Sequence, residues 1–502
     1  MHGKDIIMDG QTELLGFPLW LRINHFINLF CIFLLMRSGV QILADHPKLY
    51  WNDDSTDGSE WIKFGKKRMP KDRLWTSMDE AEHVNSVIAL PGGHHNLGTG
   101  RRWHLLTVIV WVVNGLSYVG LLFATGQWRR LIPTDWSIFP KAWDSFITFA
   151  TFHIPPESVF QPYDPLQQLT YAAVVFLVAP VMILTGLCMS PAFIARFPWY
   201  PKLFGGKQAA RSLHFIGLMT LLLYVVTHVS MVFLVYFYSN AGNMVFGDAA
   251  LYPELAAGIL ILGLVAVGLF HVVATQLTRR YQRGFQEYGD RVLEPALRFV
   301  FGNLRSAQHY TKADITPHHR VNGYPPEDEG YRTLMQSGFD GWALQVDGLV
   351  ERPLTLSLQA LHGLPKQQQI TKHNCIQGWS GVAEWGGVRV SHLLQLCRPL
   401  PAARYIAFHS FAQKEYAPKR YYEAFSLDEV QDPQTILAYE MNWAPLPAQH
   451  GAPCRLRIEH KYGYKMVKYV CRVELVADLS KLGEGHGGYR EDVQYYDKVA
   501  AI

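Results

Sequence analysis

The sequence predicts an all-α membrane helical bundle of five transmembrane helices followed by a C-terminal α+β domain. Two observations carry this. Five long, nearly uncharged apolar runs occupy the first 280 residues, and beyond about residue 278 the chain turns polar, with no run long enough to span a bilayer. The averages conceal the split: of 502 residues, 49% are hydrophobic and only 18% charged, which fits an apolar half joined to a polar half. That composition excludes a disordered chain, a collagen-like repeat and a small disulfide scaffold. The six cysteines show no CxxC and no regular spacing, so no zinc ribbon is signalled. A net charge of +4 gives no case for a nucleic-acid partner.

The apolar runs lie at about 18–40, 103–124, 169–189, 212–237 and 256–277. Four of them reach the ~20 residues that a bilayer core requires. The first is interrupted by Arg22 and Arg37, each near an end where a long side chain reaches the interface. It starts late and lacks a small-residue cleavage pattern, so it is expected to remain as a span. The loop 41–102 carries nine Lys/Arg against nine Asp/Glu and is expected to have structure of its own. The spans define a transmembrane domain at 1–280, a polar linker at 281–304 and a second domain at 305–502. In the second domain, short segments such as ALQVDGL, RYIAFHSF and KYVCRVELV alternate with Gly/Pro turns, the pattern of a β-rich α+β fold.

Ionisable residues inside spans are costly, and here they are mostly histidines. His214 and His228 are fourteen residues apart, close to four helical turns, so they share a face about 21 Å apart along the axis. Alternating span direction places His25 at the depth of His228, and His104 at the depth of His214. Two pairs at two depths are the arrangement of two bis-histidine b-type haems stacked across a bilayer. His271, in the fifth span, has no second free histidine at its depth and reads as structural. Arg22, Arg101, Arg102 and Arg211 lie close to these ligands, where they either meet haem propionates or simply flank the spans.

The stretches RINHFINLFCIFLLMRSGVQIL, HPKLYW, GRRWHLLTVIVWVVNGLSY, LQQLTYAAVVF, LTGLCMSPAF and FGGKQAARSLHF resemble the prokaryotic cytochrome b561 / formate-dehydrogenase-gamma-like family over about residues 15–240. The resemblance implies a four-helix dihaem cytochrome b core that exchanges electrons with quinone or quinol. The fifth span is extra to that core.

In the second domain, His373-Asn374-Cys375-Ile376-Gln377-Gly378-Trp379-Ser380 sets one cysteine in a turn after a strand-like segment. A thiolate there is a soft metal ligand, and a packed core cysteine is the bland alternative. Downstream, HGAPCRLRIEHKYGYKMVKYV gathers His450, Arg455, Lys461, Lys465 and Lys468 among glycines. Such a stretch suits a phosphate-bearing ligand, or else forms a solvated basic strand pair.

Together HHRVNGY, DGLVERPLTLSLQAL, HNCIQGWS, WGGVRVSHLL, YYEAFSLDEV and ILAYEMNWAPLPAQHGAPCRLRIEHKYGYKMVKYV resemble the molybdopterin-binding domain of the sulfite oxidase superfamily. The nearest branch holds the bacterial protein-methionine-sulfoxide reductase catalytic subunits. The resemblance implies a molybdenum–molybdopterin cofactor with Cys375 as the thiolate ligand of the metal. It also implies pterin contacts at Asn322, His373, Ser410, His450, Arg455, Lys465, Met466, Val467 and Lys468, and an active-site tyrosine at Tyr422. Two departures stand out: Gln377 replaces a usual acidic residue, and Lys372-His373 replaces an arginine before the cysteine. The substrate therefore cannot be carried across.

The joint expectation is a molybdopterin-dependent oxidoreductase of the bacterial inner membrane, linked to quinone through two haems b. The substrate is either a sulfite-type oxyanion to be oxidised or an S- or N-oxide to be reduced, oxidised protein methionine included. A degenerate domain that only docks a partner is the non-enzymatic alternative, and self-association is left open. Four Lys/Arg at 196–211, three just after the fifth span and none between spans four and five lean the second domain towards the cytoplasm. A start inside, usual for such cytochromes, argues the opposite side.

Overall fold

The computed structural model describes residues 7–8, 11–12, 17–153, 163–301, 308–414, 417–498, 500 and 502. Residues 302–304 of the expected linker, and 305–307 beyond it, lie outside these. Five helices among the described residues are long and apolar enough to cross a membrane: α1 (Leu19–Asp45), α2 (Leu97–Ala124), α3 (Pro165–Cys188), α4 (Lys207–Leu234) and α5 (Pro253–Arg280). All five agree with the apolar runs and start before or extend past them at one end or both, although α3 and α4 stop short of the runs' C-terminal ends. The chain is a multi-pass membrane protein. Two shorter helices, Ile138–Ala150 and Phe237–Val245, join α2 to α3 and α4 to α5.

Local chemistry explains the irregularities. Asp164 caps α3 by accepting a hydrogen bond from the Leu166 amide. A π-turn at Val174–Val178 precedes Pro180, whose ring would otherwise collide with the carbonyl four residues back. Because α1 runs on to Asp45, Arg37 is eight residues inside the helix end and is met by other side chains. Its guanidinium lies 3.1 Å from His271 Nδ1 and donates to Thr275 Oγ1 at 2.8 Å. His271 thus has a partner on α1, an arginine.

Contacts divide the chain into two compact units, Met1–Arg37, Trp103–Gly186 and Leu213–Leu277 in one, and Ser38–Arg102, Leu187–Ser212 and Thr278–Ile502 in the other. The second unit therefore contains the segments that follow the first, third and fifth spans. Its C-terminal part begins after α5 with the amphipathic helix α6 (Gln282–Phe301). Its strands are β1 (Ala343–Gly348), β2 (Leu354–Ser357), β3 (Lys366–Asn374), β4 (Ser380–Arg389), β5 (Tyr405–Lys414), β6 (Ala417–Ser426), β7 (Ile436–Met441), β8 (Ala444–Pro445), β9 (Arg455–Arg457) and β10 (Val470–Val476), followed by α7 (Tyr489–Gln494). One sheet has the order β6-β5-β10-β1-β2, with only the β10–β1 pair parallel; the other has β8-β7-β4-β3, with β9 on β7. Val346, Phe408, Leu437, Leu456, Val470 and Val473 pack between them as the main core.

The loop 46–96 is built into this unit through a buried charge cluster. Glu80 Oε1 meets Lys48 Nζ and Arg320 Nη1, each at 2.8 Å, and Glu80 Oε2 lies 3.1 Å from His46 Nδ1. Burial alone would raise the Glu80 carboxyl, but His46, Arg320 and Lys48 outweigh it and hold the group well below the carboxylate range. The arginines near the expected haem ligands are tied to protein oxygens. Arg22 donates to Val245 O, Arg101 to Tyr462 Oη and Arg211 to the carbonyls of His46 and Lys48, while Arg102 pairs with Asp290.

Candidate active site and electron-transfer centres

In the first unit, the structure brings His25 and His228 together with ring centroids 6.1 Å apart, and His104 and His214 at 6.5 Å. Each α4 histidine has its Nδ1 engaged: His228 by Tyr171 Oη at 3.4 Å, His214 by Thr185 Oγ1 at 3.0 Å. With Nδ1 engaged, Nε2 is the nitrogen of each ring suited to bind a metal. Tyr224, one turn before His228, stacks on it with centroids 5.6 Å apart. His25 and His228 line a cavity of about 620 Å³, walled largely by aliphatic and aromatic side chains.

In the second unit, Cys375 sits in the turn between β3 and β4, where Asn374 pairs with Ser380. The turn is closed by Cys375 N donating to Trp379 O (3.0 Å) and Gly378 N donating to Cys375 O (3.1 Å). Gly378 has φ of +111°, a conformation that favours glycine. The sulfur is buried; Asn322 Nδ2 donates to it at 3.7 Å, and the thiol reaches Gln377 Oε1 at 3.6 Å. Burial pushes the Cys375 thiol up to about 11, against the opposing pull of Lys207, Arg490 and Asn322. The free thiol is thus protonated at neutral pH, and a metal must displace that proton.

Beside this turn opens a cleft lined by Asn322, His373, Ser410, His450, Arg455, Met466 and Lys468 of the predicted residues. His319 stands between His450 and His373, with centroids at 5.3 and 5.6 Å. Burial and the neighbouring Arg455 and Lys468 lower His450 to about 3, so its imidazole is neutral at physiological pH. The guanidinium of Arg455 lies 4.9 Å above the Trp385 ring and donates to His450 O. Lining cations are Arg320, Arg455, Lys468 and Arg490, and no carboxylate lines the cleft among the described residues.

Three predicted residues stand elsewhere. Tyr422 directs its hydroxyl into the core, 2.6 Å from Asp492 Oδ2 and 3.0 Å from Leu482 O; its neighbour Tyr421 lines the cleft. Lys465 is held by Glu423 and Glu491. The Val467 side chain is in the core, and its carbonyl accepts from Leu456 N. Arg490, Tyr421, Trp379 and His319 line the cleft without having been predicted. A signal was present for Gly463, within KYGYK: a methyl group there would collide with the His373 ring.

Residues 16–247 match the family described as prokaryotic cytochrome b561, and residues 332–481 match the oxidoreductase molybdopterin binding domain. The chain joins these two families in one polypeptide. The chain shares 30% identity over 150 residues with the protein-methionine-sulfoxide reductase catalytic subunit MsrP of Campylobacter jejuni, covering 28% of this chain and 50% of that protein. It shares 35% over 147 residues with MsrP of Xanthomonas campestris pv. campestris, covering 28% and 46%. The chain spans about half the length of these curated relatives. Among solved structures, the sulfane dehydrogenase SoxCD from Paracoccus pantotrophus is 22% identical over 30% of this chain and 40% of that one, with a TM-score of 0.26.

Both families bring a cofactor, haem b and molybdopterin, and the residues present fit each. Two imidazoles bonded at about 2 Å to opposite sides of one metal have centroids about 6 Å apart, close to the spacing of both histidine pairs of the cytochrome b561 domain. In the cleft, His319 Nε2, Asn322 Oδ1 and Arg455 Nε are buried with no hydrogen-bond partner among the described residues. Orphaned polar atoms in a cationic cleft call for a polar, anionic ligand, and the pterin phosphate is one.

Proposed function

We propose that this protein is a membrane-bound molybdenum oxidoreductase that passes electrons between a molybdopterin site and the quinone pool through two b haems. In this reading residues 1–280 carry the electron wire, 281–304 connect, and 305–502 hold the catalytic site. The carrying observation is the buried Cys375 turn opening on a cleft lined by cations and neutral imidazoles, on the same chain as two histidine pairs at ligand spacing. The molybdenum cofactor supplies two-electron oxygen-atom transfer when bound, and haem supplies single-electron steps. Cys375 would hold the metal, with Asn322 donating to its sulfur. His450, Arg455 and Lys468 would bind the pterin. His25 with His228, and His104 with His214, would hold the two haem irons.

Among substrates the reductase direction is favoured, with an S-oxide as acceptor and oxidised protein methionine as one form of it. Support comes from the two MsrP relatives, whose names state that activity. The cations of the cleft also suit a sulfite-type oxyanion, which would reverse the electron flow. One experiment separates these. Reduced haems of the purified full chain are followed by their visible spectrum as methionine sulfoxide is added, and oxidised haems as sulfite is added. Reoxidation by the sulfoxide is expected. Molybdenum absent from the wild-type protein, or full turnover in Cys375→Ala, overturns the enzyme reading. Lysine and arginine counting favours a cytoplasmic catalytic domain; protease protection in oriented vesicles tests that.

A further inference from the structure

One buried acid cluster has no place in the cofactor site. Glu423 on β6 and Glu491 on α7 are both fully buried, and the Lys465 ammonium, also buried, bridges them; Lys465 Nζ lies 2.8 Å from Glu423 Oε2. The two carboxyl groups converge on Gly488, where a methyl group would collide with an oxygen of each. Glu423 Oε2 and Glu491 Oε2 both crowd that one methyl position, a close approach that two charged carboxylates resist and a shared proton relieves. Two carboxylates against one ammonium would leave a net negative charge in the core, and one retained proton removes it.

Tyr421, two residues before Glu423 on the same strand, connects this pair to the cleft. Its ring lines the cleft, and its hydroxyl meets the Glu423 carboxyl and donates to Tyr464 O. We propose that Glu423 and Glu491 share one proton over Lys465, and that the Tyr421 hydroxyl delivers it into the cleft beside the Cys375 turn.

This proposal rests on the reductase reading. There, a sulfoxide takes up two electrons and two protons, its S–O bond breaks, and sulfide and water leave. The electrons come from reduced haem, and ultimately from a quinol. The protons need an acid in the cleft. His450 and His319 are held neutral by burial beside Arg455, so neither donates readily at neutral pH. In the relay, the Tyr421 hydroxyl proton moves to the departing oxygen while the Glu423 acid proton replaces it, and solvent recharges the pair. Burial raises both carboxyl groups, consistent with a proton kept at neutral pH. The charged and titratable groups facing Glu423 are Lys465, Glu491, Tyr421, Tyr422 and Tyr464, while Arg490 acts on Tyr421.

Infrared spectra of the purified full chain at neutral pH, in water and deuterium oxide, are expected to show a buried protonated-carboxyl band that Glu423→Gln abolishes. Turnover with methionine sulfoxide is expected to fall about a hundredfold in Glu423→Gln and in Tyr421→Phe, with an altered pH profile. Tyr421→Phe keeps the pair intact and should keep the band. Absence of the band from the wild type overturns the shared proton whatever the enzyme does. An unchanged pH profile in Tyr421→Phe overturns delivery. A wild type that shows the band but turns over no S-oxide overturns the reductase reading, and with it the relay, while the shared proton stands.

Discussion

Gln377, two residues past Cys375, donates its side-chain amide to the backbone carbonyl of Asp45, 332 positions earlier in the chain. The same amide donates to Ser77 O, while its oxygen accepts from Trp379 Nε1 and from the Cys375 thiol. All of the group's hydrogen-bonding directions are in use. An acidic residue, usual at this position in the resembled family, would set a carboxylate against two carbonyl oxygens. Gln377→Glu is therefore expected to destabilise the protein by about 1–3 kcal/mol at neutral pH, read as a lowered Tm in detergent. Gln377→Leu should fall short of that, because it introduces no charge.

The histidine pairs predict haem counts. His228→Ala should lower the haem b content from two to one per chain, measured by pyridine haemochrome, and His104→Ala should do the same at the other pair. The double variant should hold none. His271→Ala should keep both, since its partner is Arg37.

Thr185 offers a subtler test. Its hydroxyl lies 3.0 Å from His214 Nδ1 and fixes the ring. Thr185→Val is close in shape and removes that contact, so haem retention at this site should weaken about 10-fold or more, with the His25–His228 site unchanged. Haem loss to an excess of apomyoglobin would measure it.

Glu80 makes stability depend on pH. Its folded-state carboxyl lies below the unfolded value of about 4.3, so its contribution is complete above that value. The contribution is lost as the pH falls towards the folded value. Glu80→Gln should lower stability by about 3 kcal/mol at pH 7 and flatten the acid limb of the Tm profile. Equal acid sensitivity in variant and wild type would remove Glu80 as its cause.

Much of this was legible because spacing alone fixes it. Hydropathy gave all five spans, and helix pitch with alternating span direction matched His25 to His228 and His104 to His214. The Cys375 turn followed from the strand-like QQQITKH and the Gly, Trp and Ser that come after the cysteine. Where the reading failed, long-range partners decided. Tyr421 and Tyr422 are neighbours on one strand, and a register shift between Arg420 and Tyr422 breaks the alternation that would have told them apart. Lys465 looks like a ligand cation until Glu423 and Glu491 are brought to it from β6 and α7. Arg490 enters the cleft from the far end of the chain with no motif to announce it.

The charge cluster around Glu80 has a consequence for biosynthesis. Arg320 emerges from the ribosome 240 residues after Glu80, a delay on the order of tens of seconds at ordinary elongation rates. Throughout that interval His46, Lys48 and Glu80 wait without the guanidinium that completes their cluster, while four further helices enter the membrane. The catalytic unit is thus a late assembly, sealed only when its last segment returns to a platform laid down by its first. A fragment starting at residue 305 would lack that platform, and growing chains stalled before Arg320 should be the protease-sensitive species.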